Sequence, residues 1–250
     1  MEKLTSVKNP LVASLRALKT AKARREAGMF VVEGETMLRE ALGCGLAPRV
    51  LLTEAETPLA ARFPEARLVT RAVLEAVCDT KTPQGMCASF DLPGARALED
   101  APQTLVALDG VQDPGNVGTI WRTADAAGFG GLLLGANCAD QYSPKVQRAA
   151  MGSGFRLPAI PAEPLSDALR TLRSRGYVVV ASALDGEDFY ARPEVGERFA
   201  LVIGSEAHGI SDAVRAQADM LVKLPMRGGA ESLNAAVAAG IMMYEMMRSR

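Results

Sequence analysis

Apolar positions along this chain alternate between helical spacing and short β-type runs, and the alternation divides it into two α/β blocks. Leu11, Val12, Leu15 and Leu18 recur at helical spacing and lead into a basic, alanine-rich stretch that stops at Gly28. Residues 10–27 therefore read as one amphipathic helix with a cationic outer face. Behind it, runs rich in Val, Leu and Phe predict strands near Met29–Glu33, Arg49–Thr53, Arg67–Thr70 and Met86–Phe90. Helices are predicted near Glu35–Leu42, Pro58–Phe63 and Arg71–Val77. This first block, residues 1–92, has the size of an ordinary domain. The segment Asp91–Gln103 is rich in Pro, Gly, Ala and acidic residues without any period, which marks a linker over 93–102.

A second block, 103–250, opens on Thr104–Leu108. Strands are predicted near 104–109, 131–135, 177–182, 199–203 and 220–224, and helices near 116–127, 144–151, 165–175, 211–217 and 231–248. Continuous apolar strands separated by helices imply a parallel sheet covered on both faces, and ligands of such sheets bind beyond the carboxyl ends of the strands.

Composition narrows the function classes. An apolar fraction of 48% in 250 residues supports a packed core, and a net charge of −1 exerts no global pull on nucleic acid. The first 30 residues nevertheless hold seven Lys and Arg against Glu2 and Glu26, so basic charge is concentrated there, on Arg16, Lys19, Lys22, Arg24 and Arg25 among others. Cys44, Cys78, Cys87 and Cys138 form no Cys-x-x-Cys pair and His208 is the only histidine, which argues against a zinc site, a disulfide framework and Ser/His/Asp acyl transfer. The apolar runs Tyr177–Leu184 and Ala235–Tyr244 are too short to span a bilayer and the N-terminus is polar, so a cytoplasmic location is expected.

Three strands of the second block end in loops of unusual chemistry: Asp109–Gly118, leading to a helix that carries Arg122; Gly204–Ser211, carrying Glu206; and Leu224–Asn234, with Ser232 and Asn234 at the start of the last helix. Parallel strands would bring all three to one edge. Each residue also has a plain structural role open to it: Asn116 as the cap of helix 117–127, Arg122 on a solvated face, Glu206 as a charge at a helix start, Ser232 as a cap. Neither a G-x-G-x-x-G fingerprint nor a G-x-x-x-x-G-K-[ST] phosphate loop is present, which removes the main support for a nucleotide-binding enzyme of the ordinary kind.

At these loops the chain closely resembles the SpoU/TrmH family of RNA ribose 2′-O-methyltransferases. The resemblance lies in Asp113-Pro-Gly-Asn116-Val-Gly118-x-x-x-Arg122, Ile203-Gly-Ser-Glu206-x-x-Gly209-Ile-Ser and Leu224-Pro-Met-x-Gly228-x-x-x-Ser232-Leu-Asn234, in family order. Ser6-Val-Lys-Asn-Pro10, Phe30-Val-Val-Glu33-Gly34 and Thr82-Pro-Gln-Gly85 resemble the family's N-terminal RNA-binding domain. The resemblance implies a parallel-sheet α/β methyltransferase domain with a C-terminal trefoil knot, preceded by a small α/β RNA-binding domain, and a homodimer through the last helix. It implies S-adenosylmethionine as methyl donor, held by Ile203, Gly204, Leu224, Met226 and Leu233 largely through backbone groups, and no metal. It assigns catalysis to Asn116, Arg122, Glu206, Ser232 and Asn234, with Arg122 either on a substrate phosphate or as the group that takes the 2′-OH proton, the phosphate role being preferred because a guanidinium is a poor base. Structured RNA, 23S ribosomal RNA ahead of transfer RNA, is the implied substrate. A cofactor-free RNA-binding protein is the competing reading; intact catalytic positions weigh against it.

Overall fold

The computed structural model describes residues 3–94 and 96–248; Met1, Glu2, Ala95 of the expected linker, Ser249 and Arg250 lie outside the described residues. The chain forms two compact units, Met1–Gly94 with Tyr142–Arg148, and Ala95–Gln141 with Ala149–Arg250.

The first unit contains α1 (Pro10–Ala17), α2 (Ala21–Ala27), β1 (Met29–Glu33), α3 (Glu35–Gly43), β2 (Pro48–Thr53), β3 (Arg67–Leu68), α4 (Arg71–Val77) and β4 (Met86–Asp91). Its sheet runs β1-β4-β2-β3, with β4 antiparallel to both neighbours and β3 parallel to β2. Val12, Leu15 and Leu18 pack with Leu52, Val73, Leu74 and Cys87, so the helical period of the first residues does face a core. The Cys78 thiol beside it, together with burial, pushes Cys87 well above the ordinary thiol range. The segment 142–148 groups with this unit, where the Tyr142 and Phe30 rings lie 5.2 Å apart and Arg148 pairs with Asp79 at 3.1 Å.

The single helix expected over 10–27 is two. Thr20 adopts an extended conformation and caps α2 by accepting from the Ala23 N–H at 3.3 Å, which breaks the helix and frees the carbonyls just before it. Arg24 turns back to serve them, donating to Leu18 O at 2.7 Å and Lys19 O at 3.0 Å, and is only 3% exposed. Arg24 is therefore a structural clasp and not part of the cationic face; Arg16, Lys22 and Arg25 remain exposed and Lys19 half-buried. The helix expected at Pro58–Phe63 is one 3-10 turn, Ala60–Arg62.

The second unit contains β5 (Thr104–Asp109), α5 (Pro114–Ala127), β6 (Gly131–Leu134), α6 (Pro144–Ala150, whose first residues belong to the first unit), α7 (Ser153–Arg156), β7 (Ala159–Pro161), α8 (Leu165–Ser174), β8 (Val178–Asp188), β9 (Phe199–Gly204), α9 (Asp212–Arg215), β10 (Met220–Lys223) and α10 (Ala235–Met247). Its six strands run β10-β8-β9-β5-β6-β7, all pairings parallel. Leu105, Ala107, Val179, Ala181, Ala200 and Val202 turn one face toward Leu169 and Leu172 of α8. The alternate residues Val106, Leu108, Val180 and Leu201 are equally buried, which is why these strands read as unbroken apolar runs. β7 escapes prediction because prolines flank and end it; at the sheet edge Pro161 costs no ladder bond.

β8 runs beyond its expected end. Its register with β10 jumps from Ala181↔Leu221 to Glu187↔Val222, so Ser182–Gly186 forms an excursion. Gly186 is pressed against the neighbouring backbone: a Cβ there would stand 2.5 Å from Val222 N. Helices α5 and α10 lie side by side in the same direction, with Asn116 beside Asn234, Gly240 against the Thr123 methyl and Gly128 against Met247.

Arg24→Met, which keeps the aliphatic stem but removes the donors, is expected to destabilise the first unit by about 1–3 kcal/mol, whereas Lys22→Met stays within about 0.5 kcal/mol. Urea unfolding followed by circular dichroism checks both.

Candidate active site

The parallel sheet sends β5, β9 and β10 to one edge, and each is followed by one of the three loops. In the first, Asp109 ends β5, Gly110 turns the chain at a φ of 68°, and Asp113 caps α5 by accepting from the Asn116 N–H at 2.8 Å. The cap expected of Asn116 is thus made by Asp113: Pro114 needs no N–H partner at the helix start, so α5 begins two residues earlier. Asn116, in the first turn, keeps its side-chain amide free for other partners.

The second loop is a tight return. Ser205 and Gly209 exchange backbone hydrogen bonds of 3.0 and 2.9 Å, and the Ser205 hydroxyl accepts from His208 N at 3.1 Å. A Cβ on Gly204 would lie 2.2 Å from the carbonyl carbon of Gly209, so only glycine lets the return limb close over β9. Glu206 stands exposed near the tip, and His208 is an exposed loop residue.

In the third loop Leu224 is buried, while every residue from Met226 to Asn234 is exposed. The helix expected from 231 begins at Ala235. Its cap is Asn234, whose Oδ1 accepts from Ala236 N at 2.9 Å and Val237 N at 3.2 Å. Ser232 therefore lies outside the helix, exposed, and does not cap it.

One hydrogen-bonded chain joins the three loops. Asn234 Nδ2 donates to Asn116 Oδ1 at 3.0 Å, and Asn116 Nδ2 donates to Glu206 Oε1. Both amide orientations follow from the ends of the chain: the helix N–H groups require the Asn234 oxygen, and a carboxylate accepts only from the Asn116 nitrogen. Arg122 is exposed on α5, and among the described residues its guanidinium has no ion pair, whereas Arg156, Arg173 and Arg215 of the same unit grip Asp125, Asp219 and Asp185. The neighbouring Trp121 is buried and donates to Leu157 O at 3.0 Å, which holds α5 in place.

Of the cofactor candidates, Ile203 and Leu224 are buried at their strand ends, Gly204 is half-buried, and Met226 and Leu233 are exposed. β8 lies between β9 and β10 in the sheet, so the Ser182–Gly186 excursion emerges between the second and third loops with Leu184 76% exposed. Sequence pattern alone missed this neighbour; the one available signal was the apolar run continuing to Leu184 past the expected strand end. The Arg215 guanidinium, hydrogen-bonded to it, holds the Asp185 carboxyl of this excursion below its usual range. Among the described residues, backbone groups of Met226–Leu233 make no hydrogen bonds to other backbone groups, so they are available to a ligand beside exposed Leu184, Met226 and Leu233. Such a mixed polar and apolar edge fits a nucleoside with a charged tail. No group of three His, Cys, Asp or Glu is placed to hold a metal among the described residues, and burial pushes up the Cys138 thiol in the loop after β6.

Comparison with known proteins agrees along the whole length. Residues 103–244 match the SpoU rRNA Methylase family and residues 9–88 an MRM3-like substrate binding domain. The chain is 34% identical over 249 residues to the 23S rRNA (guanosine(2553)-2′-O)-methyltransferase RlmP of Bacillus subtilis, covering 98% of this chain and 99% of that protein. The AdoMet-bound rRNA methyltransferase of Sinorhizobium meliloti superposes with a TM-score of 0.89 at 34% identity, over 99% of this chain and 98% of that one. The SpoU methyltransferase AviRb of Streptomyces viridochromogenes, in complex with AdoMet, gives 0.87 at 30% identity, over 97% and 98%. With three loops joined at one sheet edge and relatives aligned from end to end, this chain belongs to the SpoU rRNA methylase family.

Proposed function

We propose that this protein methylates a ribose 2′-OH of structured RNA, 23S ribosomal RNA in the first place, with S-adenosylmethionine as donor. The observation that carries the reading is the Glu206–Asn116–Asn234 chain, which brings residues 90 and 118 positions apart in sequence to one point. The relatives named for rRNA methylation and for bound AdoMet support the substrate and the donor. When bound, the donor supplies a methyl group already activated on a sulfonium, so the protein's work is alignment, desolvation and removal of one proton.

Gly204 and the free backbone of the third loop would hold the donor, with Ile203, Leu224, Met226 and Leu233 as its apolar surroundings. Asn116 and Asn234 keep first and third loops in register. Glu206 offers Oε1 to Asn116, which leaves Oε2 to take the 2′-OH proton. Ser232, uncommitted to the helix, is available to orient donor or ribose. Arg122 grips a phosphate of the target nucleotide: its five donors form a rigid fork, and among the described residues no carboxylate occupies it. In the first unit, Arg16, Lys19, Lys22 and Arg25 supply the contact with RNA phosphates.

A homodimer is supported by Val237, Ile241 and Tyr244, which form an exposed apolar stripe of 51, 38 and 55% along α10. The knot implied by the family is supported by the path from β10, beyond β8, back across the sheet edge to α10 beside α5. Among the described residues no helix is long and apolar enough to cross a membrane; work on ribosomal RNA supports a cytoplasmic location.

Incubation with tritiated S-adenosylmethionine and 23S rRNA should give one ribose methylation, lost by about 10²-fold or more in Glu206→Gln; labelling of transfer RNA alone would redirect the substrate, and no labelling of any RNA would end the proposal. Arg122→Lys, which keeps the charge but loses the fork, should lower kcat/KM by about tenfold or more; near-wild-type turnover rules out the two-pronged phosphate grip. Light scattering should show a dimer that Tyr244→Glu converts to monomer.

A further inference from the structure

We infer that Asp109 is a positioning residue for methyl transfer, holding the second loop against the first so that Gly204 and Glu206 stand where donor and ribose require them. This rests on the methyltransferase reading above. Asp109 is the last residue of β5 and lies in register with Gly204, the last residue of β9. Its Oδ2 accepts from the backbone N–H of Ser211 at 2.6 Å, a short charge-assisted bond across the mouth of the loop. Ser211 is where the return limb ends, and its hydroxyl in turn starts α9 by accepting from Val214 N at 3.4 Å.

The hydrogen bonds within Ser205–Gly209 are internal to the loop and fix its shape, not its place. Place comes from two ties to the first loop: Glu206 to Asn116 near the tip, and Ser211 to Asp109 at the base. The tip tie uses the group that is to receive the proton, so it has to tolerate change during the reaction. The base tie does not touch the reacting atoms and can stay closed throughout. Without it the loop pivots on its strand, and displacement of a catalytic group by about 1 Å can lower turnover 10²-fold.

The test compares Asp109→Ala, which removes the acceptor, with Asp109→Asn, whose amide oxygen can still accept from Ser211 N–H. Titration calorimetry with S-adenosylmethionine should show weaker binding by about tenfold in Asp109→Ala, with kcat down about 10²-fold, and recovery to within about threefold in Asp109→Asn. Hydrogen exchange without donor should show faster exchange at Ser205–Ser211 in Asp109→Ala and wild-type exchange in Asp109→Asn. Wild-type binding and exchange in Asp109→Ala overturn the inference while the methyltransferase reading stands. Equal loss in both variants, with the acidic limb of the pH–rate profile abolished, overturns it in favour of direct use of the carboxylate. A wild-type protein that binds no donor overturns the reading itself and the inference with it.

Discussion

The side-chain amide of Asn116 is the joint on which the sheet edge depends. A neutral amide donates and accepts in fixed directions at once, so it can sit between a helix-capping asparagine and a carboxylate and satisfy both. Asn116 does this because Asp113 has taken over the capping of α5. Replacement by aspartate would set a second carboxylate against Glu206, and replacement by an apolar residue would leave the Asn234 nitrogen and the Glu206 oxygen without a partner.

Everything beneath this joint serves to bring its ends together. Six parallel strands send their carboxyl ends to one side. Two glycines remove the remaining obstacles. Gly204 lets the second loop close over its own strand and Gly186 lets β10 lie against the excursion of β8. Parallel packing of α10 on α5 then sets Asn234 beside Asn116, since helices that run in the same direction and start level present their first turns together.

The same economy governs the first unit. Breaking the opening helix at Thr20 leaves carbonyls that water would otherwise have to serve, and Arg24 turns inward to meet them. An arginine inside a basic run thus became a structural residue. Periodicity treats every basic position on a polar face alike, and only the break in the helix reveals which of them is consumed. The prolines around Ala159–Pro161 hid an edge strand in a similar way, because the feature that lowers strand propensity is tolerated where no ladder bond is needed.

Five of the six strands of the parallel sheet and the three loops at its edge were legible in the order of the amino acids, since apolar period and loop chemistry are local properties. Which of several competing partners each polar side chain meets, near or far in sequence, was decided by the folded backbone. Asp113 rather than Asn116 caps α5, Asn234 rather than Ser232 caps α10, Arg24 is buried, and Asp109 reaches across to Ser211. Residues 142–148 join the first unit for the same reason. A side chain's polarity is written in its own type, but which donor or acceptor satisfies it is settled only when the folded backbone brings the competitors within about 3 Å of one another.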